Sequence, residues 1–218
     1  LKTNLAFCGK DIKVITMTSS VLNEGKSSVS LSLSRTLAES GKKILMVDAD
    51  LRKSVMAARY HIQGIDKGLS HYLTGQAEVE DIIYETEVEG LCITVAGPLS
   101  PDPTSILDSE QFEQFIEKVR DMFDYVIIDT PPAGIIGDAQ IFAHCADAVM
   151  IVSRQNYMLA EDINEVMDAF RDKEGKVLGV VLNGVRSFSG LVDSPVGHYY
   201  GKYSKYGRYG NYGRSKGM

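Results

Sequence analysis

The sequence has no tryptophan, three cysteines and six prolines in 218 residues. Cys8, Cys92 and Cys145 lie far apart with no C-x-x-C spacing, which argues against a disulfide framework or a cysteine zinc site and points to the cytosol. The four histidines, His61, His71, His144 and His198, show no H-E-x-x-H or paired spacing, so no metallohydrolase chemistry is assigned to them. No apolar run approaches the ~18 residues needed to cross a bilayer, and nothing reads as a secretory leader. The chain opens at Leu1 rather than Met, which reads as a trimmed start. The most pointed absence is at the other end: after Val196 there is neither an acidic residue nor an aliphatic core-forming stretch.

What stands there instead is Pro195 to Met218, PVGHYYGKYSKYGRYGNYGRSKGM, with six of the chain's eleven tyrosines. A segment this rich in Gly, Tyr, Ser and cations cannot bury enough apolar surface to offset its ordering entropy, so a disordered, exposed tail is expected over 195–218. Exposed phenols at that density suggest a substrate; a sticky linker or a nucleic-acid-binding tail fits the composition equally. Formal charge is −6 overall; the tail holds Lys202, Lys205, Arg208, Arg214 and Lys216 with no acid, which leaves residues 1–194 at −11. A basic tail on an acidic body is drawn to that body, or to a neighbouring copy, by an attraction that salt weakens beyond roughly 8 Å.

Residues 1–194 have the length of one globular domain with a real core. Short apolar runs, predicted as strands buried on both faces, fall at Lys13–Thr18, Lys43–Asp48, Leu91–Ala96, Tyr125–Asp129, Ala148–Ser153 and Val177–Asn183. Helical patterns fall between them at Lys26–Ser40, Ser109–Phe123 and Ala160–Lys173. This alternation predicts an α/β fold: a doubly wound, mostly parallel sheet with helices on both faces, whose ligands bind at the carboxyl ends of the strands. Gly97–Pro103 and Pro131–Gly137 are predicted loops at two such ends.

Three motifs sit at those ends. Ser20-Val-Leu-Asn-Glu-Gly25-Lys26-Ser27 matches the P-loop pattern G-x-x-x-x-G-K-[ST] except that Ser20 replaces the first glycine, and it lies between a strand and a helix. In such a loop backbone N–H groups cradle phosphates, Lys26 reaches the β- and γ-phosphates, and the Ser27 hydroxyl ligates Mg²⁺. The second predicted strand ends in Asp48-Ala-Asp50-Leu-Arg52, two carboxylates and a guanidinium where the phosphates would lie; carboxylates suit a hard cation. The fourth ends in Val126-Ile-Ile-Asp129-Thr-Pro-Pro132, a Walker B pattern whose aspartate holds the metal directly or through water. Asp138 reads equally as a helix N-cap or a functional residue.

SSVLNEGKSS, ILMVDADLR, VIIDTPP and the terminal tyrosine cluster together resemble the bacterial tyrosine kinases (BY-kinases) of capsule and exopolysaccharide synthesis, over essentially the whole chain. The strongest part is the family's D-x-D-x-R Walker A′ motif, matched by Asp48, Asp50 and Arg52. The resemblance implies a P-loop NTPase fold using ATP and Mg²⁺, with autophosphorylation of the tail between subunits of a ring-like homo-oligomer. It further implies a membrane-embedded activator of the polysaccharide co-polymerase type, separate or fused, a cognate tyrosine phosphatase, and a cytoplasmic location at the inner face of the membrane. No nucleic-acid partner is expected. The family's E-x-x-R-x-x-R oligomerisation motif is not seen in the opening LKTNLAF, where Lys2 alone corresponds; a start trimmed of it is expected to weaken the ring and phosphorylation in trans.

On this reading Lys26, Asp48, Asp50 and Arg52 are catalytic, with one of Asp48 and Asp50 accepting the tyrosine proton and the other on Mg²⁺. The expected metal set is Ser27, Asp48, Asp50 and Asp129. Ser20, Asn23, Glu24, Gly25, Lys26, Ser27 and Ser28 would hold the nucleotide, with Asn183 as adenine contact or strand cap. Tyr199, Tyr200, Tyr203, Tyr206, Tyr209 and Tyr212 are the expected phosphoacceptors. The competing reading is a ParA/MinD-like switch ATPase of the same fold. That group carries a signature lysine directly after the first P-loop position, where this chain has Val21, and such a switch leaves the tyrosine tail unexplained.

Overall fold

The computed structural model describes residues 1–9, 11–52, 56, 65–98, 100–134, 139–172 and 175–185. Leu1–Asn183 form one compact unit, and of the second, Gly184–Met218, only Gly184 and Val185 are described. The tail expectations and Asp138 lie outside the described residues.

Seven strands make one sheet in the order β3-β4-β2-β5-β1-β6-β7: β1 Val14–Ser19, β2 Ile44–Asp48, β3 Tyr84–Glu85, β4 Leu91–Thr94, β5 Tyr125–Asp129, β6 Ala148–Arg154 and β7 Val177–Asn183. All neighbours are parallel except β3, which runs antiparallel to β4. The described helices are α1 Lys2–Ala6, α2 Lys26–Ala38, α3 Leu69–Leu73, α4 Pro103–Leu107, α5 Glu110–Met122, α6 Ala139–Cys145 and α7 Ala160–Arg171, with a 3₁₀ turn at Glu80–Ile82.

Alternation along the strands sends side chains to two cores. Ile15, Met17, Ile44, Met46 and Ile127 pack with Leu33 and Leu37 of α2 and Leu5 of α1. Val14, Leu45, Val47, Val126 and Ile128 pack with Phe112, Phe115, Ile116 and Val119 of α5 on the opposite face, where Val149 and Ile151 meet Val166 and Phe170 of α7. The α5 helix starts where Ser109 Oγ accepts from Phe112 N (3.4 Å) and carries Glu110 and Glu113 in its first turn and Arg120 in its last, matching the helix dipole. Five of the six predicted strands are buried as expected. The sixth, β7, has β6 as its one neighbour among the described residues and leaves Val180 and Leu182 exposed, so its apolar run does not mean burial on both faces. The short edge strand β3 was not predicted because Tyr84–Glu85 lies in an acid-rich stretch with no apolar run.

At the amino ends of the strands Asp147 is a knot. Its Oδ2 accepts from the backbone N of Lys13 and Val14 (2.8 Å each), and both carboxylate oxygens accept from Arg120 Nη1 (2.7 and 2.9 Å). Burial opposes its charge, but the Val14 and Lys13 amides and the Arg120 guanidinium prevail and hold the carboxyl below its ordinary range. A depressed folded value means that the stabilisation is present above the unfolded value of about 3.9 and is lost as pH falls through the folded one. Asp147→Ala should therefore cost about 2–4 kcal/mol in denaturant titrations near neutral pH, a penalty that fades below about pH 4.

Candidate active site

The strand order β2-β5-β1 places the carboxyl ends of the three motif-bearing strands side by side. Asp48 and Asp129 end β2 and β5 in direct register, and by the period of two both fall on the face that α2 covers. After β1 the chain turns through Asn23 and Gly25 in left-handed conformations (φ 66° and 91°), and Gly25 caps α2 without a side chain. The first N–H groups of α2 have no partner within the helix, so they and the positive helix end are offered to an anion. Glycine suits position 25 because its φ of 91° strains any other side chain, and a Cβ there would also meet the Asn183 amide nitrogen. At Gly134 a Cβ would meet the Ser20 carbonyl oxygen, while Ala133 N donates to Ser19 O (2.9 Å); the loop after β5 thus closes against the first P-loop residue.

Asp129 is the centre of the site. It is 1% exposed, with Lys26 Nζ 3.7 Å from Oδ2 and Ser30 Oγ donating to Oδ1 (3.3 Å); the Ser27 hydroxyl also hydrogen-bonds to it. Burial raises its pKa above the usual carboxylate range and the charge of Asp50 adds to that, against Lys26, Ser27 and Ser30, which favour the anion. A carboxylate at this depth is under-compensated as an anion by one lysine, the setting in which a divalent cation is welcome.

The D-x-D-x-R segment folds back on itself: Asp50 N donates to Asp48 Oδ1 (3.2 Å) and Arg52 N to Asp50 Oδ1 (3.3 Å). Asp48 and Asp50 are both buried. Arg52 Nη2 donates to Thr104 Oγ1 (2.5 Å) on α4, whose N-cap Asp102 is held below the usual carboxylate range chiefly by Ser105, with Arg52 contributing. Among the described residues no three His, Cys, Asp or Glu side chains form a ready-made metal cage. That donor set fits Mg²⁺, which takes one or two carboxylates and completes its octahedron with water and phosphate oxygens. Ser27 and Asp129 are joined where such an ion would sit, with Asp48 and Asp50 beside them.

Of the nucleotide set, Asn23 and Ser28 are exposed, whereas Ser20 is buried with its Oγ unpartnered among the described residues. The Glu24 carboxylate is spent on protein, accepting from Val21 N (2.9 Å) and Arg154 N (3.2 Å), so backbone is what it can offer a phosphate. Asn183 Nδ2 donates to Glu24 O (2.9 Å), which brings the end of β7 onto the P-loop. Ser30, Thr104 and Gly134 were not foreseen. Ser30 was legible in principle, three residues beyond Ser27 on one helix face; Thr104, on α4, and Gly134, in the loop after β5, are brought in by tertiary packing alone. Burial raises the thiol pKa of Cys92 and pushes that of Cys145 up to about 12.

A protein-family profile described as "AAA domain" matches residues 12–176. The chain is 39% identical over 185 residues to tyrosine-protein kinase CpsD of Streptococcus agalactiae serotype III (strain NEM316), covering 85% of this chain and 80% of that one. The chain belongs to the bacterial tyrosine-kinase family. It is accordingly an enzyme of the protein-tyrosine kinase class. The kinase domain of VpsO superimposes with a TM-score of 0.80 at 32% identity, covering 85% of this chain and 91% of that one. MinD from Pyrococcus horikoshii OT3, solved with Mg-ADP, shares the fold alone, at a TM-score of 0.70 and 22% identity over 86% of this chain and 76% of that one.

The raised Asp129 carboxyl gives a signed expectation. Stability tied to a raised group is full below the ordinary carboxylate value near 3.9 and is lost as pH rises toward and through the folded value, so at neutral pH this buried carboxyl costs the nucleotide-free kinase stability. Asp129→Asn should therefore raise the melting temperature of the nucleotide-free protein by a few degrees at pH 7, and abolish the further rise expected of the parent on adding Mg²⁺ and ADP. Calorimetry in both states checks both effects.

Proposed function

We propose that this kinase transfers the γ-phosphoryl of ATP to tyrosines of its own C-terminal tail, acting in trans between subunits, in control of capsular or exopolysaccharide synthesis and export. The observation that carries the reading is the convergence of Lys26, Ser27 and Asp129 with Asp48, Asp50 and Arg52 at one sheet edge, in a chain that ends in six closely spaced tyrosines. Relatives named tyrosine-protein kinase CpsD support it.

Mg²⁺, when bound, would neutralise charge on the phosphate oxygens. Lys26 would pair with the β- and γ-phosphates, and the α2 amides would fix them in line with the incoming phenol. The bond from tyrosine oxygen to the γ-phosphorus forms as the bond to the ADP oxygen breaks. The phenolic proton, with an ordinary pKa of about 10, passes to Asp48 or Asp50. Arg52, steered by Thr104, steadies the transferring oxygens.

A flexible tail of ~24 residues has a root-mean-square span of roughly 25–30 Å and a limit near ~80 Å, enough to enter a neighbouring site. Each phosphate adds about −1.5 to −2, so modification of all six tyrosines would take the +5 tail to roughly −4 to −7 and repel it from the acidic body. A membrane-embedded activator, a ring-like homo-oligomer, a cognate phosphatase and recruitment to the inner membrane face belong to the same proposal. Among the described residues no helix is long and apolar enough to cross a membrane.

Lys26→Met should remove phosphotyrosine labelling from ATP by at least about 100-fold while leaving the protein folded; labelling that survives in a folded variant defeats the P-loop assignment. Phosphorylation should also shrink the oligomer, and light scattering that finds one size in both states counts against the charge-switch element.

A further inference from the structure

Glu24 is the one acidic residue inside the phosphate loop, and its side chain is 0% exposed. Burying a carboxylate is costly unless hydrogen bonds satisfy it. Here each oxygen has its own backbone donor: Oε2 takes Val21 N (2.9 Å) from the start of the loop, and Oε1 takes Arg154 N (3.2 Å) from the last residue of β6. The Glu24 carbonyl accepts from Asn183 Nδ2 (2.9 Å), and Asn183 is the register partner of Arg154 at the end of β7. One residue therefore joins both ends of the loop and two strand termini. It does so between Asn23 and Gly25, both at positive φ, a conformation that costs Asn23 energy unless its surroundings enforce it.

We propose that the Glu24 side chain is a positioning group: its carboxylate bolts the phosphate loop to the end of β6, holding the cradle in its binding shape before the nucleotide arrives, and so sets nucleotide affinity although the carboxylate itself does not touch the nucleotide. The inference rests on the nucleotide-binding reading of the site. Two converging N–H donors explain why a carboxylate stands here. Glutamine has the same length but one acceptor, and its NH₂ would face a second N–H. Chemistry at the γ-phosphate is left to Lys26, Asp129 and the Asp48–Arg52 segment, so loss of the bolt acts on binding rather than on the step itself.

The test uses the full chain. In the nucleotide-free parent the amides of Val21 and Arg154 should be protected in hydrogen exchange. Glu24→Gln should weaken Mg-ADP binding about 10-fold, the size of one lost hydrogen bond to a charged group, raise the KM for ATP by the same factor, and leave kcat at saturating ATP within about 2-fold. A mere packing role would instead lower the melting temperature with affinity and KM unchanged. The proposal is overturned if the Val21 and Arg154 amides of the parent exchange as freely as an open loop, a result that decides even if the variant fails to fold. It is equally overturned if Glu24→Gln binds Mg-ADP like the parent, or if kcat falls at constant KM. Lys26→Met measured alongside separates the two readings: parent-like Mg-ADP affinity in that variant removes the nucleotide site itself.

Discussion

The buried contact between Lys26 and Asp129 is the interaction on which the rest of the site depends. A carboxylate at the end of a central strand, 1% exposed and 3.7 Å from a lysine, is unfavourable in isolation, because burial and the nearby Asp50 charge both oppose its ionisation. Ser27 and Ser30 lessen that cost from α2, and the helix places its positive end at the same point. The sheet is built to hold this arrangement. β5 lies between β2 and β1, so the aspartate of one motif, the D-x-D-x-R segment of the next and the phosphate loop of the third meet without any long loop.

A site that is electrostatically incomplete without its ligand has a thermodynamic consequence. Whatever brings positive charge to Asp129 would stabilise the folded kinase, and on the proposed reading the domain is coupled to its nucleotide through that group. The other end of the molecule shows the opposite use of a carboxylate. Asp147 is satisfied by two amides and a guanidinium, stays charged, and locks β1, β6 and α5 together. A satisfied carboxylate thus sits at the amino ends of the strands and an under-compensated one at the carboxyl ends, where the candidate site lies.

Much of this was legible in the sequence because it depends on local rules. Apolar runs of four to seven residues between helical patterns gave the six parallel strands, and the P-loop, D-x-D-x-R and Walker B patterns fell at their carboxyl ends by strand polarity alone. What was not legible depends on packing between distant segments. Val177–Asn183 reads like a core strand, yet it lies at the sheet edge, and nothing in its composition distinguishes the two. The inward turn of Glu24 is invisible in a motif that suggests ligand contact, since Arg154 lies 130 positions away. Thr104 reaches Arg52 only because α4 packs beside the end of β2. Val21, by contrast, was informative from sequence alone: it stands where the switch ATPases of the same fold carry a lysine.

The central claim is that this pocket phosphorylates the chain's own tail rather than hydrolysing ATP to drive a switch. The most direct measurement is to incubate the purified protein with Mg²⁺ and ATP and map phosphate along the chain by mass spectrometry. The account requires phosphate on tyrosines between Tyr199 and Tyr212. ATP turned over with those tyrosines unmodified would contradict it.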